Sequence, residues 1–319
     1  MQDMQKSLIG AVASAMNAHD PAKVGASYAD DATVTMAGVP NITGKEAIQA
    51  DLKKLIDGFP NMKFGFSRVW AKNDVLVSEW VLNATHTGDV MGMKPTEKPI
   101  GYAGVSVAWV NADGKIKEEH RYDDFAQVLA QIGAGPKGMK ARAISAVPTA
   151  VEWHWAKGTP EEGKQADGMK VAIAAFQAKD DKAFAESIAE DVTWDDNMAP
   201  VALKGRAEAM KMFKAFTTAF PDVKVQVTNA WGIDDFAIAE VTVTGTQKAA
   251  FMSVPATKKP VTLHWVDIVQ SKDTKGAHGW GYGNSMEMMA QLGLMKPPGG
   301  DKPATGDKKP DAKPVVKKP

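Results

Sequence analysis

Cysteine is absent from all 319 residues, which removes disulfides, thiol nucleophiles and thiolate metal ligands. That absence leaves the compartment open: the chain as it stands reads as cytoplasmic, or as periplasmic if a leader has been removed. Its first twenty residues lack the basic start and separate apolar block of a signal peptide. Long apolar runs are missing as well. None reaches the ~18 residues that a membrane helix needs, so no transmembrane segment is expected. Neither sign of charge is in excess, since 38 basic residues balance 38 acidic ones. The balance is uneven, however: residues 296–319 hold seven Lys and three Asp, hence +4, and residues 1–295 therefore carry −4. A mildly acidic body argues against nucleic acid as a partner. The Lys/Pro segment 296–319 has almost nothing to bury and is expected to be a disordered, solvated tail. The six histidines never pair at metal-ligand spacing, and no glycine-rich phosphate loop or Gly-x-Ser-x-Gly elbow occurs. No metal and no organic cofactor is expected.

What the sequence does contain is a repeat. At a shift of 161, Gly44-Lys45 matches Gly205-Arg206, Phe59-Pro60 matches Phe220-Pro221, and Trp70, Glu79, Thr85, Met91 and Thr96 match Trp231, Glu240, Thr246, Met252 and Thr257. On either side the shift is 160, pairing Asp20 with Asp180, Tyr122 with Tyr282 and Gly133 with Gly293. A register that changes by one residue is that of a duplication. The expected organisation is copy one at 1–133, a linker at 134–160, copy two at 161–295 and the tail at 296–319.

Each copy reads as helices followed by strands. Helices are expected at 2–17 and 162–178, with a short one near Pro21–Tyr28. After Gly44, residues Ile48, Leu52, Leu55, Ile56 and Phe59 share one helical face that ends at Pro60. Alternation predicts strands at Lys63–Ala71, Val75–Thr85, Ile100–Val110 and Ile116–Asp123, then a helix stopping at Gly133. The fold class is α+β, with helices packed on one face of a curved antiparallel sheet, twice in tandem.

Several segments carry a resemblance: N-A-H-D with Y-A-D-D-A-T-V, G-K-E-A-I followed by F-P-N, E-W-x-L-x-x-T-H-T-G, M-G-M-K-P-T, and D-G-K-I-x-E-E-x-x-Y-x-D. Together they resemble the SnoaL-like polyketide (ester) cyclases of the nuclear-transport-factor-two superfamily, which are similar to ketosteroid isomerase. The resemblance covers residues 5–133 and, more loosely, 165–294. It implies a cone-shaped, cystatin-like domain around a mostly apolar cavity, dimerisation through the sheet, and acid/base chemistry on carbon acids without a cofactor. It also matches Asp124 to the Asp that closes the family's last-strand motif.

Strand alternation then suggests a site. Leu76, Ser78, Trp80, Leu82, Ala84 and His86 share one face, and Ile116, Glu118, His120, Tyr122 and Asp124 another. Carbon-acid chemistry needs a base at the C–H and a donor for the enolate oxygen. The candidate catalytic set is Asp124 as base, His86 as acid or oxyanion donor, and His120 as auxiliary donor. Trp80, Leu82, Glu118 and Tyr122 are candidate ligand contacts. Plainer roles compete: Asp124 precedes a helix and fits an N-cap, His86 a turn, and the aromatic residues cavity walls. In copy two His86, His120 and Asp124 become Gln247, Trp280 and Asn284, so any chemistry belongs to copy one. Two functions follow: a cofactor-free cyclase or isomerase acting on a polyketide-like carbon acid, or a non-catalytic binder of a small apolar ligand. The two copies are expected to associate through their sheets as an internal pseudo-dimer, leaving the chain a monomer.

Overall fold

Helix α1 (Gln2–Asn17) opens the first copy and turns Leu8, Ile9, Ala15 and Met16 into its core. The computed structural model describes residues 1–135, 139–252, 254–272 and 274–295. The tail expected at 296–319 lies outside them. The short α2 (Pro21–Gly25) is capped by Asp20, whose carboxylate accepts from the Lys23 amide at 3.0 Å. Next come β1 (Tyr28–Met36) and β2 (Val39–Thr43), two strands that alternation did not single out because both mix short polar and apolar residues. Gly44, at φ +90°, takes the left-handed backbone that starts α3 (Lys45–Gly58), which buries Ile48, Leu52 and Ile56 one turn apart.

The remaining strands are β3 (Lys63–Lys72), β4 (Val75–Thr85), β5 (Pro99–Val110) and β6 (Ile116–Asp123), followed by α4 (Phe125–Ile132). The linker contributes β7 (Glu152–Trp155), which lies parallel to β3 and gives the sheet order β2-β1-β6-β5-β4-β3-β7. Copy two repeats the plan. It runs through α5 (Pro160–Ala178), α6 (Asp181–Ser187), β8 (Ile188–Asp196), β9 (Leu203–Lys204), α7 (Arg206–Ala219), β10 (Lys224–Ile233), β11 (Phe236–Thr246), β12 (Pro260–Lys272), β13 (Lys275–Tyr282) and α8 (Ser285–Gln291). Its sheet order is β10-β11-β12-β13-β8-β9. No helix among the described residues is long and apolar enough to cross a membrane.

Each sheet has two apolar faces with different destinations. One is covered by that copy's helices. The other packs against its counterpart: Val77, Val105 and Val107 meet Ile238, Val266 and Ile268, with Trp70 and Phe236 in edge contact at 5.2 Å. The sheets thus form an internal pseudo-dimer. Two buried glutamates sit in this interface and are satisfied reciprocally. The Tyr282 hydroxyl donates to Glu79 at 2.6 Å, and the Tyr122 hydroxyl donates to Glu240 at 2.7 Å. A buried carboxylate also needs a cation, and the two copies supply it differently. Arg68 forks onto Glu79 from the adjacent strand and stacks over Trp280 at 3.8 Å. At the equivalent place Asn229 is neutral, and His120 crosses from copy one to meet Glu240 at 2.7 Å.

Candidate functional site

Copy one encloses a cavity of about 590 Å³ between its sheet and the helices α1 and α3. Leu8, Val12, Leu52, Leu55, Phe59 and Phe64 make its walls predominantly apolar. From β4 come Leu76, Ser78, Trp80 and Leu82, as strand alternation predicts. The polar floor comes from β6, and there the predicted phase is corrected. Ile116 pairs with Val110 but Glu118 pairs with Trp109, so Lys117 is an extra residue in the strand. Such a bulge reverses the alternation beyond it. Ile116, Glu119, Arg121 and Asp123 line the cavity, while Glu118, His120 and Tyr122 do not.

Glu119 anchors the floor. Its carboxylate accepts from the Tyr28 hydroxyl at 2.5 Å, from the Ser106 hydroxyl at 2.7 Å and from Arg121 at 3.0 and 3.2 Å. Burial alone would raise its pKa, but the guanidinium and the two hydroxyls hold it below the usual carboxylate range. The Asp123 carboxylate and the Tyr102 hydroxyl also line the cavity, and neither has a hydrogen-bond partner among the described residues. Burial pushes Asp123 up to about 6, with Arg121 pulling back. Burial, reinforced by the Asp123 charge, pushes the Tyr102 phenol well above its ordinary value, so it stays a neutral donor. Trp80 and Phe125 hold the Tyr102 ring edge-on at 5.5 and 5.9 Å.

The other predicted residues lie elsewhere. Asp124 follows the strand and caps α4 through the Ala126 amide at 3.3 Å. It also reaches into copy two, accepting from the Ser285 amide at 3.0 Å and hydroxyl at 2.7 Å. It borders a void of about 90 Å³ between the copies, and burial raises it to about 7. His86 is fully buried; its Nδ1 meets the Thr96 hydroxyl at 3.0 Å. Its replacement Gln247 accepts from the Thr257 amide at 3.1 Å and hydroxyl at 2.7 Å, so both side chains tie down the same loop. The structure therefore brings Trp80 and Leu82 to the cavity but leaves Asp124, His86, His120, Glu118 and Tyr122 outside its lining.

In copy two the charged residues of the last strand are lost: Glu119, Arg121 and Asp123 correspond to Gly279, Gly281 and Gly283, and the Asp196 and Asp267 carboxyls lie beside Gly281 instead. A Cβ on Gly279 would stand 2.1 Å from the Trp194 ring, which has taken the space. Its polar residues bind separate partners: Asp195 takes Arg142, His264 takes Glu287, and His278 takes Thr193, each at 2.7 Å. Asp196 and Asp267 are raised by burial to about 6 and about 7. Among the described residues no cluster of His, Asp and Glu is arranged to hold a metal ion.

Residues 6–132 and 166–292 each match the model of the SnoaL-like polyketide cyclase family. The chain belongs to that family, twice over. Solved structures similar to one SnoaL-like unit include AclR from Streptomyces galilaeus, with 22% identity over 42% of this chain and 98% of that one, and a TM-score of 0.39. TsrD from Streptomyces laurentii gives 17%, 42%, 97% and 0.39. A ketosteroid isomerase-like protein from Catenulispora acidiphila, solved with trimethylamine, gives 19%, 40%, 94% and 0.36. No curated protein matches the chain.

Sequence reasoning missed Tyr28, Tyr102, Ser106, Glu119, Arg121 and Asp123. One signal was present: the charged residues at every second place in copy one are glycines at every second place in copy two. Residues two apart share one face of a strand, so the three replacements mark a single face.

Proposed function

We propose that copy one is a cofactor-independent cyclase or isomerase that acts on a polyketide-like carbon acid, with Asp123 as general base and Tyr102 as hydrogen-bond donor. The observation that carries this reading is the pairing, in one largely apolar cavity, of a carboxylate near pKa 6 with a neutral phenol, neither having a hydrogen-bond partner among the described residues. A base with a pKa near 6 is mostly ionised at pH 7 yet keeps proton affinity, which suits C–H abstraction. Asp123 takes the proton; the C–H electron pair moves into an enolate, whose oxygen accepts a hydrogen bond from Tyr102. Returning the proton to another carbon completes an isomerisation. In a cyclisation the enolate carbon attacks a carbonyl in the same molecule, forming a C–C bond, and the new alkoxide takes the proton back from Asp123. The proton transfer moves one negative charge from Asp123 to the enolate, and the Glu119–Arg121 pair keeps a guanidinium in the floor beside it.

The test uses 5-nitrobenzisoxazole, a carbon acid whose ring opens to a coloured phenolate after one proton abstraction. The wild type is expected to accelerate the opening, Asp123→Asn to lose at least 100-fold and Tyr102→Phe at least 10-fold, with KM nearly unchanged. The pH profile should rise to a plateau above about pH 6, because only the carboxylate form of Asp123 is the base. Acceleration that survives Asp123→Asn sinks the assignment. The apolar walls also suit a carrier, and a wild type that binds apolar phenols tightly without accelerating the reaction would favour that second reading.

A further inference from the structure

Copy one's cavity is not built by copy one alone. Asn284 and Met286, at the start of α8 in copy two, complete its lining. That first turn is clamped on both sides of the boundary. The Asn284 side-chain amide donates to the Ala37 carbonyl at 3.0 Å, while its oxygen caps the Met286 amide at 2.9 Å. Ala37 sits in the turn between Met36 and Val39, which both line the cavity. A Cβ on Gly38 in the same turn would stand 3.1 Å from Glu287, so turn and helix are in close contact. From the far side Asp124 binds the Ser285 amide and hydroxyl. The helix is divided between the two interiors: Met286 and Met289 are buried with copy one's core, Met288 and Leu292 with copy two's.

We infer that Met286 sets the length of ligand the cavity admits, so that copy two serves as the gauge of copy one's site. The inference rests on the proposed reading of that cavity as a small-molecule site. A thioether side chain on a fixed helical turn suits the task, because the backbone stays put while three side-chain torsions let the wall fit its guest. At the equivalent position copy one carries Ala126, which is too short to do the same for copy two.

The experiment measures binding only, by calorimetry on the full chain, with the two-ring phenol 2-naphthol and the four-ring phenol estradiol as probes. Met286→Phe is expected to weaken estradiol at least tenfold and leave 2-naphthol within twofold. Met286→Ala, which shortens the wall, should raise the ratio of estradiol to 2-naphthol affinity at least fivefold. Met286→Leu, which conserves volume, should change neither and confirms that the helix still docks. A wild type that binds both probes, with Phe and Ala variants that leave both within twofold, overturns the inference alone. A wild type that binds neither probe overturns the reading of the cavity itself.

Discussion

Asp123 and Asp124 are neighbours in sequence and both are buried carboxyls raised by desolvation, yet the structure sends them to different places. Asp123 faces the cavity without a hydrogen-bond partner among the described residues, while Asp124 receives three hydrogen bonds at the meeting point of two helices. A base must be available to a substrate, and a cap must not be. Asp124→Asn is therefore expected to keep turnover, since Asn caps nearly as well. It should also alter the pH dependence of stability. With a folded pKa near 7 against an ordinary 3.8, the native state holds a proton that the unfolded state has lost between about pH 4 and 7. Stability supplied by that proton is full below pH 4 and is lost as the pH rises through 7, on the order of a few kcal/mol in all. Urea midpoints measured across that range should fall less steeply in Asp124→Asn, by one proton's worth. An unchanged slope would show that Asp124 is ionised throughout.

Among the elements, β6 and β13 are the decisive pair. Both strands are placed by the same ladder, yet one presents Glu119, Arg121 and Asp123 and the other presents glycines. The phase of β6 depends on Lys117, an exposed residue whose insertion no hydrophobic pattern announces, because both faces of this strand are buried and both carry polar groups. The phase of β4 was legible because Trp80 and Leu82 mark its covered face. In β13 Gly279 admits the Trp194 ring, so that position has no room for a side chain unless the ring moves. Gly279→Ala should destabilise the chain by about 1–3 kcal/mol in urea unfolding, because the ring must move off its packing position. The same change at Gly163, whose Cβ would meet nothing within 4 Å, should cost far less. Equal losses would mean that Trp194 yields freely.

Across the whole molecule, duplication allowed two halves of one interface to diverge. A dimer of identical chains must satisfy both glutamates alike; this chain neutralises Glu79 with Arg68 from the adjacent strand and Glu240 with His120 from the opposite sheet. Burial opposes protonation of His120, but Glu240 and Glu118 raise its pKa above the usual imidazole value. The stability it lends is full below about pH 6.5 and is lost as the pH rises through the raised value. His120→Trp alone leaves Glu240 without a cation and should cost on the order of 3 kcal/mol. Adding Asn229→Arg recreates the Arg68, Glu79 and Trp280 arrangement on the other side of the pseudo-twofold and should restore most of the loss. A double-mutant cycle reads this directly, and two simply additive losses would refute the exchange.

The sequence by itself determined the duplication, the α+β class and the covered face of β4, because these rest on composition and on periodicities that repeat over many residues. It also shows that His86, His120 and Asp124 are replaced in copy two, by Gln247, Trp280 and Asn284. Tertiary structure alone decided which side chains line the cavity. Burial, strand phase past a bulge and the partner of a buried carboxylate depend on residues far apart in the chain, among them Ser285 beside Asp124, Glu240 beside His120 and Met286 against copy one's cavity. Pairings across 120 residues or more leave no local period to read, and they exist only once the two sheets have closed on each other.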